Sequence, residues 1–98
     1  LNGEFVYVDQ FGNLISNISI ATLQATFRAS YSNIKIEVGD LTIEGISESY
    51  ADVEEGGYVA LIGSNGYLEV AVNKGSAAEK LDCKRGDSIT LKAETESE

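Results

Sequence analysis

Two runs concentrate the side chains able to do chemistry: Asp9-Gln-Phe-Gly-Asn-Leu-Ile-Ser-Asn17 and Gly63-Ser-Asn-Gly-Tyr-Leu-Glu-Val-Ala-Val-Asn-Lys-Gly-Ser-Ala-Ala78. They offer carboxylates, side-chain amides and hydroxyls, groups that hydrogen-bond and orient a ligand. The chain has no histidine, so Ser-His-Asp and Cys-His catalysis and His-ligated metals are excluded by inventory. Cys83 is the only cysteine, which excludes an internal disulfide and a zinc site built on paired thiolates. Neither the Walker nor the dinucleotide-binding glycine pattern occurs, and Gly63-x-x-Gly66 is too short for a phosphate cradle and reads as a hairpin turn. No self-sufficient catalytic set is present, and the residues point to binding.

The elements that must position these runs are short strands. Gly3 to Asp9 alternates with period two and predicts a first strand buried on both faces. Phe11-Gly12-Asn13 predicts a turn or bulge, because Gly and Asn tolerate positive φ, so Asp9 and Asn13 flank a bend before a second strand, Leu14 to Ile20. Ala21 to Phe27 fits either a helical turn capped by Thr22 or a strand. Asn33 to Glu37 and Leu41 to Ile46 form a hairpin across Gly39-Asp40, and Tyr58 to Ile62 and Tyr67 to Val72 form another across Ser64-Asn65-Gly66. Ser76 with Glu79 has capping-box spacing and predicts a short helix, and Arg85-Gly86-Asp87 turns into a last strand, Ser88 to Ala93. The expected organisation is one domain over residues 1–93 and a frayed acidic tail over 94–98. About seven strands with almost no helix predict an all-β antiparallel barrel or sandwich, which the pattern alone does not separate.

Sixteen acidic residues against seven basic ones give a net charge of -9. Such a surface repels phosphate backbones and anionic lipid, so neither nucleic acid nor membrane is an expected partner. No apolar run reaches the roughly 20 residues of a membrane span and no leader pattern is visible, so the expected location is cytoplasmic. The chain begins at Leu1 and holds no methionine, which predicts a piece of a longer polypeptide.

The first run, Tyr50-Ala-Asp-Val-Glu-Glu-Gly56, the second run and Gly86-Asp87 together resemble, in order and spacing, the C-terminal domain of the S-adenosylmethionine hydroxide adenosyltransferases, the family of the fluorinating and chlorinating enzymes. The resemblance covers nearly the whole chain and favours a Greek-key barrel of about seven strands with one short helix. It implies a substrate, S-adenosylmethionine, and no cofactor. It also implies that the substrate lies between this domain and the N-terminal domain of a neighbouring subunit in a homotrimer.

By that resemblance Asn13 meets the adenine edge, Phe11 and Tyr50 pack around the base, and Asp9 meets the methionine ammonium. Ser64 and Asn65 receive the methionine carboxylate, and Glu69, Val72 and Asn73, with main chain near Lys74, complete the pocket. Fluorinating members carry arginine where this chain has Asn65, which favours the hydroxide-using branch, a hydrolase forming adenosine. The same residues have plain structural readings: Asn13 as a turn residue, Phe11 and Tyr50 as barrel core, Asp9 as an exposed strand end, Val72 as core. The water-activating residues belong to the family's N-terminal domain, so this domain alone is expected to be inactive. The alternative function is a stand-alone acidic β-barrel module for protein interaction or oligomerisation, without ligand.

Overall fold

Period-two alternation and tight turns produce seven antiparallel strands in the computed structural model, which describes residues 1–28 and 30–93. They are β1 (Asn2–Val8), β2 (Leu14–Ser19), β3 (Ile34–Val38), β4 (Leu41–Glu44), β5 (Tyr58–Ile62), β6 (Tyr67–Val72) and β7 (Ser88–Ala93). Helix α1 (Ile20–Thr26) follows β2, and α2 (Ala77–Leu81) lies between β6 and β7. The expected 94–98 tail lies outside the described residues.

The sheet order is β4-β3-β7-β1-β2-β6-β5. Three hairpins, β1–β2, β3–β4 and β5–β6, are joined by connections that skip strands, the Greek-key manner of wiring a barrel. Just past β4, Ser47 pairs in parallel with Leu61, and its N–H donates to the Ala60 carbonyl at 2.7 Å. That contact brings the two edge strands together and nearly closes the barrel, leaving little free edge.

Inward-facing positions fill one core, with Phe5, Leu14, Leu23, Ile34, Ile36, Leu68, Ile89 and Leu91 fully buried. On β6 the inward set is Leu68, Val70 and Val72, so Tyr67, Glu69 and Ala71 face outward. Cross-strand pairing of Ile15 with Glu69 and Glu69 with Leu61 puts these on the same outer face. Part of that face is itself covered: Val59, Leu61 and Ala71 form a second small cluster under Val53. The cover is the β4–β5 connection, where Tyr50–Asp52 makes a 3-10 turn closed by a full capping box between Ser49 and Asp52.

β1 departs from expectation. Phe5 is buried, but Val6 is 42% and Tyr7 59% exposed. Phe5 pairs with Ser16 and Tyr7 with Ile15, so one extra residue is inserted in β1 at Val6. The bulge breaks the alternation and leaves Val6 and Tyr7 outside rather than buried on two faces.

The ambiguous stretch after β2 is helical. Its N-cap is Ser19, whose hydroxyl accepts from the Thr22 N–H at 3.1 Å, so Thr22 is the capped residue rather than the cap.

β2 also loses register against β6 between Ile15 and Ser19, and the buried Ser16 hydroxyl sits inside this irregular stretch. It donates to the Leu68 carbonyl at 2.7 Å and accepts from the Ile18 N–H at 3.1 Å. Ser16→Ala leaves a buried carbonyl and a buried N–H without partners and should cost about 1–3 kcal/mol, read from the shift in urea midpoint at unchanged m-value.

Candidate functional site

The bend between β1 and β2 is built by Asp9. One carboxylate oxygen accepts from the Phe11 and Asn13 N–H groups, both at 2.9 Å, and the other from the Asn13 side-chain Nδ2 at 3.0 Å. The Asp9 N–H donates to the Asn13 carbonyl at 3.1 Å and the Gly12 N–H to the Asp9 carbonyl at 3.0 Å. Gly12 has φ 84°, and its α-carbon lies against Ser76, the N-cap of α2. The Ala78 N–H donates to the Gly12 carbonyl at 3.0 Å. The bend is thus locked from within by a carboxylate and from outside by the start of α2. Ser76 caps that helix as expected, accepting from the Glu79 N–H at 3.1 Å.

Beside the bend lies an open cleft of about 500 Å³ lined by Phe11, Asn13, Tyr50, Val72, Asn73, Lys74 and Gly75, a size in the range of small-ligand sites. Phe11 is 67% and Tyr50 39% exposed, which rules out their reading as barrel core. Asn13 is 8% exposed, buried behind them. Val72 both joins the core and closes the cleft floor. Asn73 lines the cleft while its Nδ2 donates to the Val53 carbonyl at 2.8 Å, bracing the Tyr50 segment against β6. The positive φ of Lys74, 60°, turns the chain out of β6 and brings Lys74 and Gly75 into the lining.

Four of the nine residues singled out in the sequence lie outside this lining. Asp9 stands behind Asn13 as a half-buried turn organiser, not a free strand-end carboxylate. Glu69 stands behind Tyr50: the Tyr50 hydroxyl donates to its Oε1 at 3.3 Å and accepts from Asn13 Nδ2 at 3.5 Å. Ser64 and Asn65 occupy the exposed β5–β6 turn. The turn starts at Gly63, whose bare α-carbon faces the Glu69 carboxylate. A polar chain therefore runs Asp9, Asn13, Tyr50, Glu69, and reaches the foot of the Ser64-Asn65 turn. The capping box that holds Tyr50 is absent from the sequence reading, although Ser49-x-x-Asp52 carries its signature.

Two carboxylates, Asp9 and Glu69, stand behind the cleft, and Lys74 lines it. Burial, with the Asp9 charge adding to it and the Tyr50 hydrogen bond opposing it, pushes the Glu69 carboxyl above the usual carboxylate range. Tyr50 is raised by burial and by the neighbouring Glu69 and Asp9 charges. A carboxyl raised on folding binds more protons in the native than in the unfolded state, so its contribution to stability is full below the ordinary glutamate range and fades as pH rises through the folded value. Glu69→Gln should therefore flatten the fall in stability just above the ordinary glutamate range, seen by comparing denaturation midpoints of the two proteins across that interval. Among the described residues no three His, Cys, Asp or Glu side chains are grouped to hold a metal. The arrangement, exposed aromatic rings around a buried amide, suits a planar ligand with a hydrogen-bonding edge.

Residues 3–90 match the family described as the SAM hydroxide adenosyltransferase C-terminal domain. The chain belongs to that family. The domain is 38% identical over 89 residues to (R)-S-adenosyl-L-methionine hydrolase of Thermus thermophilus, a match covering 91% of this chain and 31% of the relative. It also superposes on the crystal structure of an uncharacterized conserved protein from Thermotoga maritima, with TM-score 0.77 and 31% identity over 92% of this chain and 35% of that one. For the crystal structure of a conserved hypothetical protein from Thermus thermophilus the values are 0.73 and 37%, covering 92% and 34%. The chain thus spans about a third of the length of each of these relatives. Among its described residues no helix is long and apolar enough to cross a membrane.

Proposed function

We propose that this domain supplies the adenine- and methionine-binding wall of an S-adenosylmethionine hydrolase site shared between subunits. The opposite wall comes from the N-terminal domain of a neighbouring subunit in a homotrimer. The observation that carries the reading is the open cleft in which Asn13 is held by Asp9 between the exposed rings of Phe11 and Tyr50. A base stacked on such rings gains roughly 1–3 kcal/mol, and an amide side chain matches the donor and acceptor on the adenine edge. The two carboxylates of Asp9 and Glu69 favour the positive charge that S-adenosylmethionine carries on its sulfonium and ammonium groups.

The reaction of the assembled enzyme is a displacement at ribose C5′: a water oxygen bonds to C5′ as the C5′–S bond breaks. Methionine leaves with the sulfur electron pair, and one proton passes to solvent. Orientation and exclusion of bulk water supply the acceleration. This chain contributes binding and orientation, and the groups that activate water come from the opposite wall.

The test is to incubate S-adenosylmethionine with the chain, and with the chain plus the N-terminal domain of a family member, and to measure released adenosine and methionine. Release in the mixture only supports the proposal. No binding and no turnover in either sample contradicts it and leaves a ligand-free acidic interaction or oligomerisation module.

A further inference from the structure

A carboxylate accepts hydrogen bonds and cannot donate them, so the Asp9 Oδ2 facing Asn13 fixes which end of the amide is which. The nitrogen must point at Asp9, at 3.0 Å, and the amide oxygen is left for the cleft that Asn13 lines. The Asn13 Oδ1 takes no bond from Asp9 or Tyr50, since both contacts are made by Nδ2. The second Nδ2 hydrogen has only the Tyr50 hydroxyl at 3.5 Å, a contact weak enough to yield to a ligand nitrogen. Asp9 itself is anchored by the Phe11 and Asn13 N–H groups, so it cannot swing away from the amide without opening the bend.

We infer that Asp9 is a positioning residue whose bond to Asn13 makes the cleft select a 6-amino purine over a 6-oxo purine. The inference rests on the nucleoside reading given above. An acceptor held at the 6-position of the base receives a hydrogen from an amino group. Against a carbonyl it sets two lone pairs face to face and leaves both oxygens unpaired, and a site built to bond one group rejects the analogue lacking it. Free rotation of the amide would erase the distinction, because an unpinned asparagine offers either end. The Asp9 bond removes that freedom.

The test is titration of the chain with adenosine and with inosine, whose bases carry an amino group and a carbonyl at that position, following ligand-induced shifts by NMR. Wild type is expected to bind adenosine at least about tenfold more tightly than inosine. Asp9→Asn keeps an oxygen to accept the Phe11 and Asn13 N–H groups but turns a nitrogen toward Asn13. The Asn13 amide then rotates, and the adenosine-to-inosine ratio falls at least about tenfold, with inosine binding retained or improved.

A merely structural role would weaken both nucleosides in parallel and leave the ratio unchanged, and that result overturns the inference. Equal wild-type affinities overturn it as well, even if Asp9→Asn does not fold, while the nucleoside reading survives. Binding of neither nucleoside by wild type, alone or with the N-terminal domain of a family member added, overturns both.

Discussion

Gly12→Ala should destabilise the domain by about 2–6 kcal/mol, a large fraction of the total stability of a chain this size. Two costs combine. The backbone sits at φ 84°, where an L side chain is strained by about 1–3 kcal/mol. The added methyl also meets Ser76, whose Cβ lies 2.6 Å and Cα 3.0 Å from its position. Because backbone is involved, the clash cannot be relieved by rotating one side chain, and overpacking of this kind costs about 1–3 kcal/mol more. Gly66→Ala separates the two costs. It has nearly the same φ, 85°, but nothing within 4 Å of a new Cβ, so it should show the backbone cost alone. Urea denaturation of both variants checks the difference. If Gly12→Ala costs no more than Gly66→Ala, the bend is not locked against α2.

Asn13→Ala is the variant with the largest expected effect on binding. It removes the amide that faces the ligand and should weaken adenosine by about 1–3 kcal/mol, or roughly 5- to 150-fold. The aromatic surface of Phe11 and Tyr50 remains, so binding should weaken rather than vanish. The turn remains too, since the Asp9 bonds to the Phe11 and residue-13 N–H groups are backbone contacts. The loss of affinity should therefore be accompanied by only a small loss of stability. An adenosine affinity unchanged by Asn13→Ala would show that the amide does not touch the base.

Much of this arrangement is visible in the residues themselves. Ile34, Ile36 and Val38 alternate with Lys35 and Glu37, and the strand follows, because burial on one face of a pleated strand fixes both period and register. The Asp9 to Asn13 bend is legible from Gly12 and Asn13 in the sequence. Nothing local announces the bulge at Val6, since its alternation looks regular until pairing with β2 imposes the extra residue.

The site divides the same way. Phe11, Asn13, Tyr50, Val72 and Asn73 stand out by their resemblance to family motifs, and the fold brings them to one cleft. That likeness could not show that Asp9 holds Asn13 rather than standing free, nor that Glu69 lies behind Tyr50. The Tyr50 contacts join residues 37 and 19 positions apart and depend on how β2, β6 and the capped Tyr50 segment converge. The lock between Gly12 and Ser76 is likewise a tertiary fact, although both residues sit inside the two runs richest in polar side chains.

The most direct measurement is a structure of the chain with adenosine bound, by crystal soaking or by intermolecular NOEs. The base should lie against Phe11 and Tyr50 with its 6-amino group on Asn13 Oδ1 and its sugar directed toward the opposite wall. Adenosine seated instead in the hollow beside Tyr58, Lys80 and Cys83, or contacts that avoid Asn13 altogether, would contradict the assignment of this cleft.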